Sequence, residues 1–399
     1  VDLDAFRWLL TDEGQALLAQ ATELAGATGT GGELHVQAEL RRTAPPAAVA
    51  AALTQVELRE KARAKFGDLA DRLYFTPDAL EQATRQSVAA HRAGRYRAFG
   101  AQTLIDLGCG IGGDLIAASR AGLVCAGVDL DPVRVAMAEA NLAAAGLPGA
   151  VQVADATTVN HAGFDLAFAD PARRTGAGRS FNVDDWVPPW SWIEGLLRRD
   201  ACVKVAPGIP HALVPADVEA EWVSDGGEVK EAALWSGRTA TAQRRATVIP
   251  STTSGQAGGL ASLTDEDDPG ADAVGVGEVG AFLYEPDGAV IRAGLVTAVA
   301  AGVEGRLIDA KIAYVTSDAS FRSPFARGYR VLEHLPYREK QLKAALRERR
   351  IGRLTIKKRG VDVAPDALRK RLALEGDEEA TLVLTRVAGQ GTALLVAPF

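Results

Sequence analysis

The chain has few cysteines, no basic leader, no apolar run of membrane-spanning length and no internal repeat. Each absence removes a class of protein. Cys109, Cys125 and Cys202 are odd in number, lack C-x-x-C spacing and sit in apolar stretches. That argues against a disulfide framework and against a zinc site, so the three are expected in the core and no metal is expected. The opening Val1-Asp2-Leu3-Asp4 lacks the basic-then-apolar pattern of a secretory signal, and the expectation is a cytoplasmic protein without membrane attachment. Positive charge is also in deficit. A formal net charge of −7 repels a polyanion at long range, so nucleic-acid contact requires a local basic surface. What remains is a globular chain of 399 residues, 47% hydrophobic and 24% charged, long enough for two or three domains.

The organising stretch is Leu-Ile-Asp-Leu-Gly-Cys-Gly-Ile-Gly-Gly-Asp at 104–114. A short apolar run with a carboxylate, followed by closely spaced glycines, reads as a buried strand turning tightly into a helix. Gly108, Gly110 and Gly112 would let the backbone approach a ligand, and the helix N-terminus behind them favours an anionic group. The turn is therefore a nucleotide cradle. Gly108, Gly110 and Gly113 also satisfy the G-x-G-x-x-G dinucleotide pattern, which leaves the nucleotide open at this point.

Four regions are expected. Residues 1–95 read as a helical domain, with apolar residues at helical spacing in Phe6, Leu9, Leu10, Leu17 and Leu18 and again in Val49, Leu53, Val56 and Leu58. Its last helix should follow Thr76 as N-cap and Pro77 as first helical residue, which would bring Thr76 over the cradle. Residues 96–250 alternate strand and helix patterns, the mark of a doubly wound, Rossmann-like α/β sheet. Residues 251–280, rich in Gly, Ser, Thr and Asp, read as a solvated loop. Residues 281–399 read as an α+β module.

Within the α/β region four successive strands deliver Asp106, Asp129, Asp155 and Asp170 to or near one rim, the edge where open α/β sheets bind ligands. This set resembles the class I S-adenosylmethionine-dependent methyltransferases over roughly Phe75 to Pro250. The resemblance implies S-adenosyl-L-methionine as cofactor. Gly108, Gly110 and Gly112 would cradle its methionine part, Asp106 its amino group, Asp129 its ribose hydroxyls and Asp155 its adenine amine, with Thr76 nearby. The chemistry agrees, since an ammonium and vicinal hydroxyls want ionised acceptors. A dehydrogenase would need only the ribose acid.

The reactive stretch is expected at Phe168-Ala-Asp-Pro-Ala-Arg-Arg-Thr175. Methyltransferases that act on amines or ring nitrogens of bases carry Asp or Asn, then Pro-Pro and an aromatic residue here. Asp170 and Pro171 match; Ala172 and Arg173 do not. Asp170 and Pro171 would orient the acceptor, Arg173 and Arg174 would meet a phosphate or a base, and Phe181, Trp186, Trp190 and Trp192 lie downstream as stacking platforms or as core.

Basic residues dominate from Arg338 to Arg371, among them Arg347, Arg349, Arg350, Arg353, Lys357, Lys358, Arg359, Arg369, Lys370 and Arg371. The segments at 351–362 and 380–386 resemble the THUMP-like domain that ends a family of bacterial methyltransferases, whose core is distantly similar to trimethylguanosine synthases. This implies RNA, tRNA or rRNA, as partner, docked by Arg353, Lys357, Lys358 and Arg359, with methylation at a base nitrogen. A non-catalytic RNA-binding protein keeping a cofactor pocket, a small-molecule or protein methyltransferase and an NAD-dependent oxidoreductase are the alternatives. Oligomeric state leaves no mark on the sequence.

Overall fold

A computed structural model describes residues 2–28, 33–173, 186–250 and 259–399. The chain divides into two compact units. The first comprises Val1–Val205, Ile209–Val218 and Ala233–Thr241, and the second Ala206–Gly208, Glu219–Ala232 and Ala242–Phe399.

The first unit opens with helices α1 (Leu3–Leu9), α2 (Asp12–Thr28), α3 (Glu33–Leu40), α4 (Pro46–Phe66), α5 (Pro77–Gln82) and α6 (Gln86–Ala98). The α/β part follows as β1 (Thr103–Leu107), α7 (Gly113–Arg120), β2 (Val124–Asp129), α8 (Pro132–Ala144), β3 (Ala150–Val153), β4 (Leu166–Ala169), a short antiparallel pair β5 (Ala172–Arg173) and β6 (Trp186–Val187), α9 (Trp190–Leu196) and β7 (Ala201–Val205). The strands lie in the order β7-β4-β1-β2-β3 and pair in parallel. That order reverses direction at β1, the switch point at which such sheets open a crevice. Phe6, Leu9, Leu17, Leu18 and Val49 of the N-terminal helices share one apolar cluster with Leu104, Leu115, Met137 and Leu142. Burial of this common core, rather than helix propensity, holds the leading helices in place.

Two buried amides bind the segment entering α5. Gln55 on α4 receives the Phe75 amide at 2.9 Å and donates to its carbonyl at 2.7 Å. Asn141 on α8 does the same for Tyr74, at 2.7 and 3.0 Å, and also donates to the Ile111 carbonyl at 2.9 Å. Residues 74–75 are thus held by side chains in the way a neighbouring strand would hold them, and every buried backbone group there that these bonds reach is satisfied.

The second unit carries β8 (Glu219–Asp225), β9 (Glu228–Ser236, whose last residues belong to the first unit), β10 (Arg244–Ile249), β11 (Ala261–Thr264), α10 (Ala271–Val274), β12 (Phe282–Pro286), α11 (Gly288–Ala293), α12 (Val296–Gly302), β13 (Arg306–Leu307), β14 (Val315–Ser317), β15 (Ala326–Leu335), α13 (Glu339–Glu348), β16 (Ile351–Lys358), α14 (Pro365–Leu372), β17 (Glu378–Val387) and β18 (Gln390–Pro398). The turn between β8 and β9 has positive φ at both Gly226 and Gly227, as a two-residue hairpin of matching twist requires. β8 pairs β10 in parallel and β10 pairs β11 antiparallel. The seven-stranded sheet runs β13-β14-β12-β15-β18-β17-β16. Leu342 and Leu346 of α13 and Leu368 and Leu372 of α14 pack with Ile351, Leu354, Leu382 and Leu384 of this sheet.

The loop expected over 251–280 is corrected in its later part. Residues 251–258 lie outside the described residues, but β11 and α10 follow them. The acidic cluster has internal work there. Asp265 accepts the amides of Gln243 and Arg244, and Asp267 caps the turn begun by Thr264. No helix among the described residues is long and apolar enough to cross a membrane.

Candidate active site

The parallel register explains why four strand-end aspartates are not equivalent. Leu107 lies level with Val128 and Ala169, so Asp129 and Asp170 stand one residue beyond it at the rim. Asp106 stands one residue behind and is only 1% exposed. Its Oδ1 has no hydrogen-bond partner. Burial pushes the Asp106 carboxyl well above the ordinary carboxylate range, and the charges of Asp114 and Asp170 push it further in the same direction.

A cavity of about 820 Å³ opens at this rim. Gly108 and Gly110 line it, both with positive φ (120° and 53°). Asp129 holds this turn, taking the Gly110 amide at 3.0 Å and the Asp131 amide at 2.9 Å. Asp155 lines the next sector, its carboxyl lowered by the Thr157 amide and then by the Thr157 hydroxyl. On the far side Phe168, Asp170 and Pro171 meet Val187, Pro188 and Pro189.

Three expected cofactor residues are not among the cavity-lining residues described, and the first, Asp106, is buried one residue behind the rim. Gly112 does not line the cavity; a Cβ on it would lie 3.3 Å from Ala138, so it serves the approach of the α7 N-terminus to α8. Thr76 does not line it either. Its hydroxyl caps α5 by accepting the Ala79 amide at 3.2 Å, and the helix it starts carries Ala79 and Gln82, followed by Ala83 and Thr84, to the cavity wall. Arg173 pairs through its backbone strand with Trp186; Arg174 and Phe181 lie outside the described residues. Trp186 and Trp190 pack edge to face, with centroids 5.4 Å apart, and no tryptophan is among the cavity-lining residues described. They are packing rather than stacking platforms.

Three charged residues at the site have no counterpart in the sequence reading. Lys204 on β7 reaches Asp170 at 2.6 Å and lines the cavity. Its signal was a lone lysine within the apolar strand Ala201-Cys-Val-Lys-Val205. Arg92 on α6 is 2% exposed, lies 4.5 Å over the Phe168 ring and pairs with Asp114. Asp114 also accepts from the Thr84 hydroxyl at 3.1 Å. Nothing in the helix sequence distinguishes Arg92 from its basic neighbours.

With this geometry in hand, the comparisons with known proteins decide the chemistry. Two uncharacterised S-adenosylmethionine-dependent methyltransferases of Mycobacterium tuberculosis, from strains CDC 1551 / Oshkosh and ATCC 25618 / H37Rv, are each 37% identical over 342 residues, 83% of this chain and 90% of the relative. The chain belongs to the S-adenosylmethionine-dependent methyltransferases. A solved structure from Porphyromonas gingivalis W83, described as a candidate methyltransferase, superposes with a TM-score of 0.74 at 22% identity, over 97% of this chain and 98% of that one. This methyltransferase matches a THUMP domain-like family model at residues 326–398 and a domain of unknown function at residues 2–62. The enzyme class and the cofactor follow from the relationship, and the nicotinamide alternative falls.

The cavity fits that cofactor. The rim carboxylates of Asp129 and Asp155 line it as acceptors that ribose hydroxyls and an exocyclic amine would use, and the orphaned Oδ1 of Asp106 lies buried behind the glycine turn.

The basic strand of the second unit is less one-sided in the structure than in the sequence. β16 alternates faces, so Lys357 and Lys358 point to opposite sides of the sheet. Most cations in the segment have internal partners. Arg353 pairs with Glu379, Lys357 with Glu285 at 2.6 Å, Arg349 with Glu333, Arg350 with Asp377, Arg369 with Asp366 and Arg371 with Glu339. Lys343 and Arg347 donate to the Arg371 and Ala373 carbonyls at the end of α14. Arg359 lies 5.5 Å over the Tyr314 ring. A one-sided charge run in sequence has become a network of pairs.

Proposed function

We propose that this methyltransferase modifies a base nitrogen of structured RNA, a tRNA or rRNA. The observation that carries the reading is the Asp170-Pro171 turn on the cavity wall beside Lys204, in a chain whose last 73 or so residues match a THUMP domain-like model; the resemblance to THUMP-containing enzymes implies RNA modification. The bound cofactor supplies a methyl group already activated by positive sulfur. Gly108 and Gly110 hold its methionine end, with Asp106 behind them. Asp129 takes the ribose hydroxyls and Asp155 the adenine amine. Asp170 accepts a hydrogen bond from the acceptor amine, which turns the nitrogen lone pair to the methyl, while Pro171 and Pro188 shape the slot. Catalysis here is positioning. Lys204 keeps the Asp170 carboxylate in one orientation.

Residues 326–399 contain sixteen Lys or Arg against nine Asp or Glu, an excess that attracts phosphates although the chain as a whole is acidic. The docking set would be Arg353, Lys357, Lys358 and Arg359, on or just after β16, which ends the order of its sheet and so offers both faces of an open edge. The exposed Arg353 pair is the kind that phosphates displace at little cost.

The test is transfer of labelled methyl from S-adenosylmethionine to size-fractionated bacterial RNA. Transfer that Asp170→Ala abolishes supports the proposal. A protein that binds S-adenosylmethionine saturably yet labels no RNA fraction, while labelling protein or small molecules in an extract, refutes it. Replacing Lys357, Lys358 and Arg359 together should weaken RNA binding, reduce its salt dependence and leave cofactor binding unchanged; unchanged RNA affinity would remove the docking role.

A further inference from the structure

The segment 79–84 belongs to the N-terminal helices, yet Gln82 and Thr84 line the cavity beside Asp114. The placement is built in. The amide clamps of Gln55 and Asn141 hold residues 74–75, Asn141 ties them to the Ile111 carbonyl of the glycine turn, and α5 projects from that anchor. Asp114 is then gripped from two sides. The buried Arg92 holds Oδ1, and Thr84 donates to Oδ2. Each carboxylate oxygen accepts more than one hydrogen bond, and the Asp114 side chain keeps 17% of its surface exposed. The charge of Arg92 also acts on Asp106, whose Oδ1 is buried and unpartnered behind the rim.

We propose that Asp114, oriented by Thr84 and Arg92, binds the α-ammonium of S-adenosylmethionine, so that the N-terminal helical region completes the methionine end of the cofactor site. An ammonium has three donors and no acceptor, which suits the held carboxylate that Asp114 presents at the cavity wall beside the glycine turn. The adenosine end is served by other elements, through Asp129 and Asp155, so the two ends separate experimentally. This inference depends on the cofactor and not on the identity of the methyl acceptor.

The experiment is calorimetric titration of the full chain with four ligands: S-adenosylmethionine, S-adenosylhomocysteine, decarboxylated S-adenosylmethionine and 5′-methylthioadenosine. The first three carry the ammonium; the last lacks the amino-acid end. Asp114→Asn should weaken the first three by about tenfold or more, as loss of a hydrogen bond to a charged group does, and leave 5′-methylthioadenosine within twofold. Because Asp114→Asn also disturbs the partner of a buried arginine, Thr84→Val is the second variant. It retains the ion pair and should weaken the ammonium ligands several-fold with the same selectivity. Equal weakening of all four ligands in Thr84→Val, or none, overturns the proposal. Loss confined to ligands bearing the carboxylate, with decarboxylated S-adenosylmethionine unaffected, overturns it as well. Failure of the wild type to bind S-adenosylmethionine would instead count against the cofactor itself.

Discussion

Asn141 offers the sharpest test of how the leading helices are coupled to the glycine turn. It is fully buried and makes three hydrogen bonds to backbone, two to Tyr74 and one to Ile111. Asn141→Ala removes all three and leaves an amide and two carbonyls without partners. Each bond contributes about 1 kcal/mol net, and each buried group left unsatisfied costs roughly 1–3 kcal/mol. Allowing for relaxation and entry of water, the expected loss is about 3 kcal/mol. Read as local opening, this is about a 150-fold drop in protection of the Tyr74 amide. Hydrogen-exchange mass spectrometry of peptides spanning residues 72–84 and 107–114 measures it. Both peptides should lose protection together, because one side chain joins them, while a peptide from β17 should not change. Asn141→Asp should fare no better, since it keeps an acceptor for the Tyr74 amide but has no donor for the two carbonyls. Protection within threefold of wild type in Asn141→Ala would refute the clamp.

Three further outcomes are expected. Asp129→Ala should weaken S-adenosylmethionine binding by on the order of 1.5–3 kcal/mol, measured by calorimetry, with part of the loss arising because the Gly110 amide loses its acceptor; unchanged affinity refutes the ribose role. Asp106 has a raised folded-state pKa, from burial and then from Asp114 and Asp170, with Arg92 opposing and Asp129 adding to the shift. Its folded form therefore binds the proton more tightly than the unfolded form, so its contribution to stability falls as pH rises from the ordinary carboxylate range through the raised value, and is level above it. Binding of the cationic cofactor favours the ionised form, so a proton is released below that raised value and affinity climbs with pH until it is passed; titrations in buffers of different ionisation enthalpy should show this release in wild type and not in Asp106→Asn. Lys204→Met should lower methyl transfer at least tenfold and leave S-adenosylmethionine affinity within twofold, because Lys204 acts on Asp170; parallel loss of both would make it a cofactor residue instead.

Local signals were legible where one stretch of chain settles its own conformation. The strand Thr103–Leu107 and the helix Pro365–Leu372 end where pattern, capping and proline place them. Their neighbours differ by a residue or two, as at β2 and α7, where helix and strand ends are set by hydrogen bonds to other segments. β11 escaped because it is a strand by virtue of pairing with β10, not by composition. The rim aspartates were legible because consecutive strands in a parallel sheet share one carboxyl edge.

The division between sequence and tertiary structure is a division between local and distant interactions. The sequence by itself determined the glycine turn, the aspartates behind and beside it and the parallel α/β order, hence the cofactor, and also the THUMP-like resemblance at the C-terminus. These depend on backbone conformation, side-chain period and the succession of strands along the chain. Only the tertiary structure decided which charges meet. It brought Lys204 to Asp170, Arg92 and Thr84 to Asp114, and Lys357 to Glu285 across 72 positions, and it turned Gly112 to packing and Thr76 to capping. A charge in sequence has a sign; whether it stays exposed, is neutralised or faces a ligand depends on a partner that the chain delivers only when it folds.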